Sequence, residues 1–127
     1  MSELDAVLFA NEAFYRAFAD REMAAMTDVW AAKAPVSCIH PGWGLLAGLD
    51  EVLSSWQAIL STPDSPAITC LGARAHMQGK VGYVICYEEI EGNYLIATNI
   101  FMHEGRRWRL VHHQVRQRPL ADRGEDV

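Results

Sequence analysis

The sequence predicts an α+β domain: three N-terminal helices packed on a curved antiparallel sheet. Two observations carry that prediction. Apolar residues recur at helical spacing to about residue 60, then alternate in strand fashion to about residue 117. The strand-like half is broken only by short turns, at Gly79-Lys80, Gly92-Asn93 and Glu104-Gly105-Arg106, so neighbouring strands run antiparallel. A third observation adds curvature. Asn99, His112 and His113 interrupt runs that are otherwise apolar, the pattern of a sheet bent around a half-wet pocket.

Residues 3–18 form the first helix, with Leu4, Val7, Leu8, Asn11, Phe14, Tyr15 and Phe18 on one face. Ser2 is its N-cap, and Glu3 and Asp5 favour its first turn. Asp20 caps a shorter second helix that turns Met23, Met26 and Trp30 inward, and Pro35 ends that region. A short strand covers residues 36–40. A turn-rich loop follows, through Pro41, Gly42, Trp43, Gly44 and Gly48. Asp50 caps a third helix over residues 51–60 with Val52, Leu53, Trp56 and Leu60 as its apolar stripe. Four strands follow at residues 67–77, 81–91, 94–104 and 107–117. Residues 1–118 make one domain, and residues 119–127 a polar tail.

Half of the 127 residues are hydrophobic, enough for a single core. The net charge of −5 argues against nucleic acid or an anionic membrane as partner. Three cysteines (Cys38, Cys70, Cys86) without close spacing argue against a disulfide framework or a Cys-X-X-Cys centre. The acidic start lacks the basic region of a signal peptide, and no apolar run is long enough for a membrane helix. A reducing cytoplasm is the expected location. The five histidines show no H-x-x-x-H spacing, so no metal site is expected. No Gly-rich phosphate loop and no G-x-S-x-G elbow occur.

Alternation along a strand decides which residues share a face. A two-residue turn at Gly92-Asn93 sets Glu88 opposite Ala97. A three-residue turn at 104–106 sets Ala97 opposite His113. Glu88, Ala97 and His113 then form one rung, with Asn99 one step diagonal. The other parity groups Glu89, Thr98, His112 and Gln114. The sheet's second face, with Ile96, Thr98, Ile100 and Met102 beside Leu110, is too apolar to stay wet and predicts a homodimer through the outer sheet face.

Several motifs carry a resemblance. They are A-N-E-A-F-Y-R-A-F-A-D-R-E in the first helix, C-I-H-P-G-W before the third and G-L-D-E-V-L-S-S-W within it. A-T-N-I-F and G-R-R-W-R-L-V-H-H follow in the last strands. With these, residues 5–116 resemble the SnoaL-like branch of the nuclear transport factor 2-like superfamily. The resemblance implies a cone, a curved sheet wrapped around a long helix with an internal pocket at the open end. Its members include steroid isomerases, polyketide cyclases, dehydratases, epoxide hydrolases and a calmodulin-dependent kinase's association domain, so fold alone does not name the chemistry. The kinase domain has polar pocket residues where this chain has Glu88 and Asn99, and a pocket arginine where it has Val115. That match turns the Glu88 set toward the pocket. It also implies a small neutral or cationic organic ligand. The steroid isomerases' catalytic trio and the cyclases' Asp/His pair have no secure counterpart in this sequence.

Glu88 is then the candidate base or acid, because an apolar pocket raises a carboxyl pKa toward neutrality. The other reading is a carboxylate merely hydrogen-bonded to Asn99 or a tyrosine. His113 is the candidate proton shuttle or a pocket wall. Asn99 orients a carbonyl or satisfies Glu88. Asn11, polar on an apolar helix face, points into the cavity and caps a buried group there, or else the helix is rotated from this reading. His40 faces the pocket mouth or, the reading favoured here, bonds a loop carbonyl. Tyr15 and Trp43 supply an aromatic rim, Trp43 the more direct ligand contact, while Trp56 is core. The implied chemistry is cofactor-independent proton transfer: isomerisation, aldol-type cyclisation or dehydration. The competing reading is a non-catalytic dimeric domain for ligand sensing or assembly.

Overall fold

A computed structural model describes residues 1–117; the tail predicted over 119–127 lies outside the described residues. Three helices lead into the sheet: α1 (Glu3–Asp20), α2 (Met23–Val29) and α3 (Leu49–Ser61). The strands are β1 (Ser37–Ile39), β2 (Leu46–Ala47), β3 (Thr69–Gln78), β4 (Val81–Ile90), β5 (Asn93–Glu104) and β6 (Arg107–Gln117). They form one sheet in the order β2-β1-β6-β5-β4-β3. The helices and the antiparallel β3–β6 meander match the predicted fold class.

The sheet is mixed rather than wholly antiparallel. β1 lies parallel to β6, with Cys38 beside His113, and β2 pairs back onto β1 from within the predicted loop. A two-residue strand between glycines carries too few alternating positions to be read from sequence. The caps also differ in part. Ser2 caps α1 as expected, its side chain accepting from the Asp5 amide at 3.1 Å. The N-caps of α2 and α3 are Glu22 and Gly48, so Asp20 ends α1 and Asp50 sits in the first turn of α3.

α1 lies across the inner sheet face, burying Val7, Asn11, Phe14, Tyr15 and Ala17. It passes close over Gly82 on β4, where an added Cβ would come within 2.6 Å of Val7 Cγ2. Glycine is favoured there because the Val7 side chain occupies the space. Leu4, predicted inward, is exposed near the helix start.

Two bulges bend the sheet, one between Leu71 and Arg74 on β3, one at Ile100/Phe101 in the β5–β6 ladder. The second reverses the facing of the first part of β6. Leu110 therefore pairs with Phe101 and is fully buried on the inner face, not on the outer face as predicted. Glu104 closes β5 instead of belonging to the turn. Its carboxylate accepts from the amides of Ala32, Lys33 and Ala34 at 2.8, 2.8 and 3.0 Å, tying the segment after α2 to the sheet. Those bonds hold its pKa down to about 2.

Candidate functional site

The predicted rung is displaced. Ile90 pairs with Asn93, so the hairpin turn is Glu91-Gly92 and Glu88 lies opposite Leu95. Glu104 pairs with Arg107, and the bulge then adds a residue to β6. The observed rung is Val84–Asn99–His113–Cys38, with Cys86–Ala97–Val115 beside it. Each error amounts to two residues along the strand, and a shift of two preserves the face. Glu88, Asn99 and His113 consequently all point inward, each at most 1% exposed.

A continuous polar network joins them to α1. The Asn99 Nδ2 amide donates to Asn11 Oδ1 at 2.9 Å and to the Tyr15 hydroxyl oxygen at 3.2 Å. Tyr15 in turn donates to Glu88 Oε2 at 2.6 Å, a charge-assisted length. Asn99 Oδ1 lies 2.6 Å from His113 Nδ1. Because the amide nitrogen is committed to Asn11 and Tyr15, that oxygen accepts, and His113 carries its proton on Nδ1. The free Nε2 lone pair then lies 3.9 Å from Glu88 Oε2, just beyond hydrogen-bond length. Glu88 therefore bonds Tyr15 and reaches Asn99 only through it.

Burial sets the electrostatics. It raises the Glu88 pKa to about 7, against the lowering effect of the Tyr15 hydrogen bond. The His113 pKa falls to about 3, through burial first and then the neighbouring His40 and His112. With a neutral imidazole this contact is not an ion pair. Tyr15 is raised well above its usual value by burial and by Glu88, so it remains a donor.

His40 sits at the end of this cluster, on a different bond from the one favoured by sequence. Its Nε2 lies 2.8 Å from Ser55 Oγ, on α3, not on a loop carbonyl. Ser55 already donates to the Val52 carbonyl at 2.6 Å, so the His40 nitrogen is the donor. A serine engaged in this way is not an activated nucleophile. Burial also lowers the His40 pKa to about 4. Phe14 and Trp56 pack edge-on and tilted against these rings, with Trp56 4.8 Å from His40 and Phe14 4.9 Å from His113. Trp43 packs outside His40 at 4.8 Å and is 46% exposed, a rim position separate from the polar network.

The network is sealed by its own side chains. A groove of about 410 Å³ lies beside it between α1 and β3, lined by Leu8, Asn11, Glu12, Tyr15, Arg16, Cys70 and Ala73. It reaches the α1 members of the network but not Glu88 or His113.

The sequence model of the SnoaL-like domain matches residues 7–115. The chain belongs to the SnoaL-like family. Among solved structures, a Streptomyces avermitilis protein of the NTF2-like family, provisionally assigned as a dehydratase, is similar at a TM-score of 0.83. It is 26% identical, over 92% of this chain and 96% of that one. A Thiobacillus denitrificans protein, provisionally assigned as a calcium/calmodulin-dependent protein kinase type II association domain, is 27% identical. Its TM-score is 0.76 over 87% of this chain and 93% of its own. The F-box protein SKIP8 of Arabidopsis thaliana is 28% identical over 110 residues, 85% of this chain. The chain spans about half of that relative's length, 48%.

In this SnoaL-like domain, sequence reasoning missed Ser55, Cys70 and Cys86 as neighbours of the site. Cys86 Sγ lies 3.3 Å from the Tyr15 hydroxyl, and Asn11 Nδ2 points at Cys70 Sγ from 3.8 Å. The inward parity of Cys86, the same as that of Glu88, was the available signal. Ser55 had none, since a serine on a helix is ordinarily solvated. No helix among the described residues is long and apolar enough to cross a membrane.

Proposed function

We propose that this SnoaL-like domain binds a small neutral or cationic organic molecule against the Glu88–Tyr15–Asn99–His113 network and moves a proton on it. The reaction class is isomerisation, aldol-type cyclisation or dehydration, run by the protein's own side chains. The observation that carries this reading is Glu88: a buried carboxyl titrating near neutrality, facing the free lone pair of a histidine whose tautomer is fixed. Above its pKa Glu88 takes a proton from carbon or oxygen; below it, the acid returns one. His113, its pKa down at about 3, stays neutral and holds its lone pair toward the carboxyl. Tyr15 donates a hydrogen bond to the charge that develops.

Binding on this reading displaces the side chains that seal the network, and the α1–β3 groove, which reaches Asn11 and Tyr15, is the entrance. Trp56 supports it further: its indole nitrogen is buried without an acceptor among the described residues, a donor available to a ligand oxygen. The test is a thermal-shift screen against small carbonyl compounds, followed by turnover of the hits. Glu88→Gln should abolish turnover and leave the fold intact; unchanged turnover in that variant overturns the proposal.

A second reading is a dimeric sensing or assembly domain, favoured by the outer sheet face. Ile85, Tyr94 and Met102 are exposed there, beside half-buried Ile96 and Ile100. Lysine at both Ile85 and Met102 should convert a dimer to a monomer in sedimentation. A wild-type chain that sediments as a monomer removes this reading.

A further inference from the structure

Asn11 carries a donor that the polar network leaves unused. Its Oδ1 accepts from Asn99, while its amide nitrogen has Cys70 Sγ within reach at 3.8 Å. An amide nitrogen carries two hydrogens, and sulfur is a weak acceptor. One N–H faces that sulfur; the other has no partner among the described residues, in a side chain 1% exposed. Asn11 and Cys70 both line the α1–β3 groove, where Leu8 and Ala73 supply apolar wall. Cys70 is half-buried there on β3, the edge strand, beside the bulge that follows Leu71. Cys38 and Cys86 are 0% and 2% exposed, out of a solute's reach. A thiol and a hydrogen-bond donor thus face one opening, 3.8 Å apart. A reacting carbon stands about 3–3.5 Å from its nucleophile, and an accepting oxygen about 2.9 Å from its donor. The spacing suits a molecule whose electrophilic carbon and carbonyl oxygen are separated by three bonds, the arrangement of an α,β-unsaturated carbonyl.

We propose that Cys70 is an addition site for α,β-unsaturated carbonyl compounds, with Asn11 Nδ2 holding the carbonyl oxygen. The Cys70 thiol first gives its proton to solvent, because the thiolate is the nucleophile. Its sulfur then bonds the β-carbon, and the π pair of the C=C bond shifts to make an enolate. Charge gathering on the enolate oxygen strengthens the hydrogen bond that Asn11 donates to it. Solvent returns a proton to the α-carbon, and the carbonyl re-forms. An S–H bond and a C=C π bond are lost, an S–C bond and a C–H bond are made, and no oxidant or reductant enters. Dehydration of a β-hydroxy ketone, among the reactions proposed above, yields this class of compound. The adduct fills the entrance to the Glu88 network, and it forms whether or not Glu88 turns a substrate over.

The test treats the folded wild-type chain, and glutathione separately, with methyl vinyl ketone and with methyl methanethiolsulfonate. Intact mass follows the rates, and peptide mapping places the adducts. Both reagents consume the thiolate, so the ratio of their rates cancels differences in thiolate fraction. The expected enone product is a single adduct on Cys70, with Cys38 and Cys86 unmodified. The enone-to-thiosulfonate rate ratio at Cys70 should exceed that of glutathione by about tenfold or more, the effect of one donor on a developing charge. Asn11→Asp keeps the acceptor for Asn99 and removes the donor, and should bring the ratio down to glutathione's. Circular dichroism checks the fold of that variant; if it is lost, the wild-type ratio decides alone. A ratio equal to glutathione's in the wild-type chain makes Cys70 an ordinary exposed thiol and overturns the proposal. So does an enone adduct on Cys38 or Cys86 in preference to Cys70, or a folded chain that the enone leaves unmodified. Each of these outcomes leaves the Glu88→Gln turnover test standing.

Discussion

His113 Nε2 lies 3.9 Å from Glu88 Oε2, although the ladder separates their strand positions. His113 shares a rung with Val84, two inward-facing positions along β4 from Glu88. Sheet curvature and the reach of the glutamate bring the two groups together. Asn99 fixes the imidazole so that its lone pair, not its N–H, meets the carboxyl.

The pH dependence of stability follows from three buried groups. Glu88 has a folded pKa raised to about 7 from 4.5, so its contribution is complete below pH 4.5 and lost as pH rises through 7. His113 and His40 are lowered to about 3 and 4 from 6.5. Their contribution is complete above pH 6.5 and lost as pH falls toward those values. Between pH 4.5 and 6.5 the unfolded chain therefore binds two histidine protons while the folded chain retains one on Glu88. Stability should fall on acidification by about 1.4 kcal/mol per pH unit, the value for one net proton. Glu88→Gln removes the offset and should about double that slope. Urea titrations across this range measure it, and equal slopes for the two chains contradict the assignment.

Tyr15→Phe removes the donor to Glu88 Oε2 and one acceptor of Asn99. The Glu88 pKa should rise further above about 7, because the lost hydrogen bond favoured the charged form. The variant should also lose about 1–3 kcal/mol of stability. Carbon-13 titration of the Glu88 carboxyl reads the first effect and chemical denaturation the second.

Asn99→Asp puts carboxylate oxygens against His113 Nδ1–H. The His113 pKa should rise from about 3, since the negative charge stabilises the imidazolium. Nitrogen-15 shifts of the wild-type ring should show the proton on Nδ1; a proton on Nε2 would mean that the Asn99 amide is turned the other way.

Gly82→Ala should destabilise the domain by about 1–3 kcal/mol, because the new methyl meets Val7 Cγ2 at 2.6 Å and a β-branched side chain yields little. Val7→Ala in the same chain should recover part of the loss, giving a coupling energy in a double-mutant cycle.

The α+β order, the four long strands and the shared face of Glu88, Asn99 and His113 were legible in the sequence; that this face turns inward came from the resemblance to the SnoaL-like family. A period of two survives any register error of two residues, and the errors at Glu91-Gly92 and at the β5–β6 turn with its bulge were of that size. Leu110 was misplaced because it lies on the turn side of the bulge, where the error is a single residue. His40 was assigned a local carbonyl because nothing local announces Ser55, which α3 brings from fifteen residues away.

Patterning along the chain thus determined which side chains share a face, since alternation is a local property of extended backbone, and the family resemblance chose the face that turns inward. Only the tertiary structure decided what they meet there. The register set by a turn and a bulge, and the seating of α1 over Gly82, put Tyr15 on Glu88 and Cys86 and Asn99 on His113. Hydrogen-bond partners depend on displacements of about an ångström between elements distant in sequence, and no local periodicity encodes those.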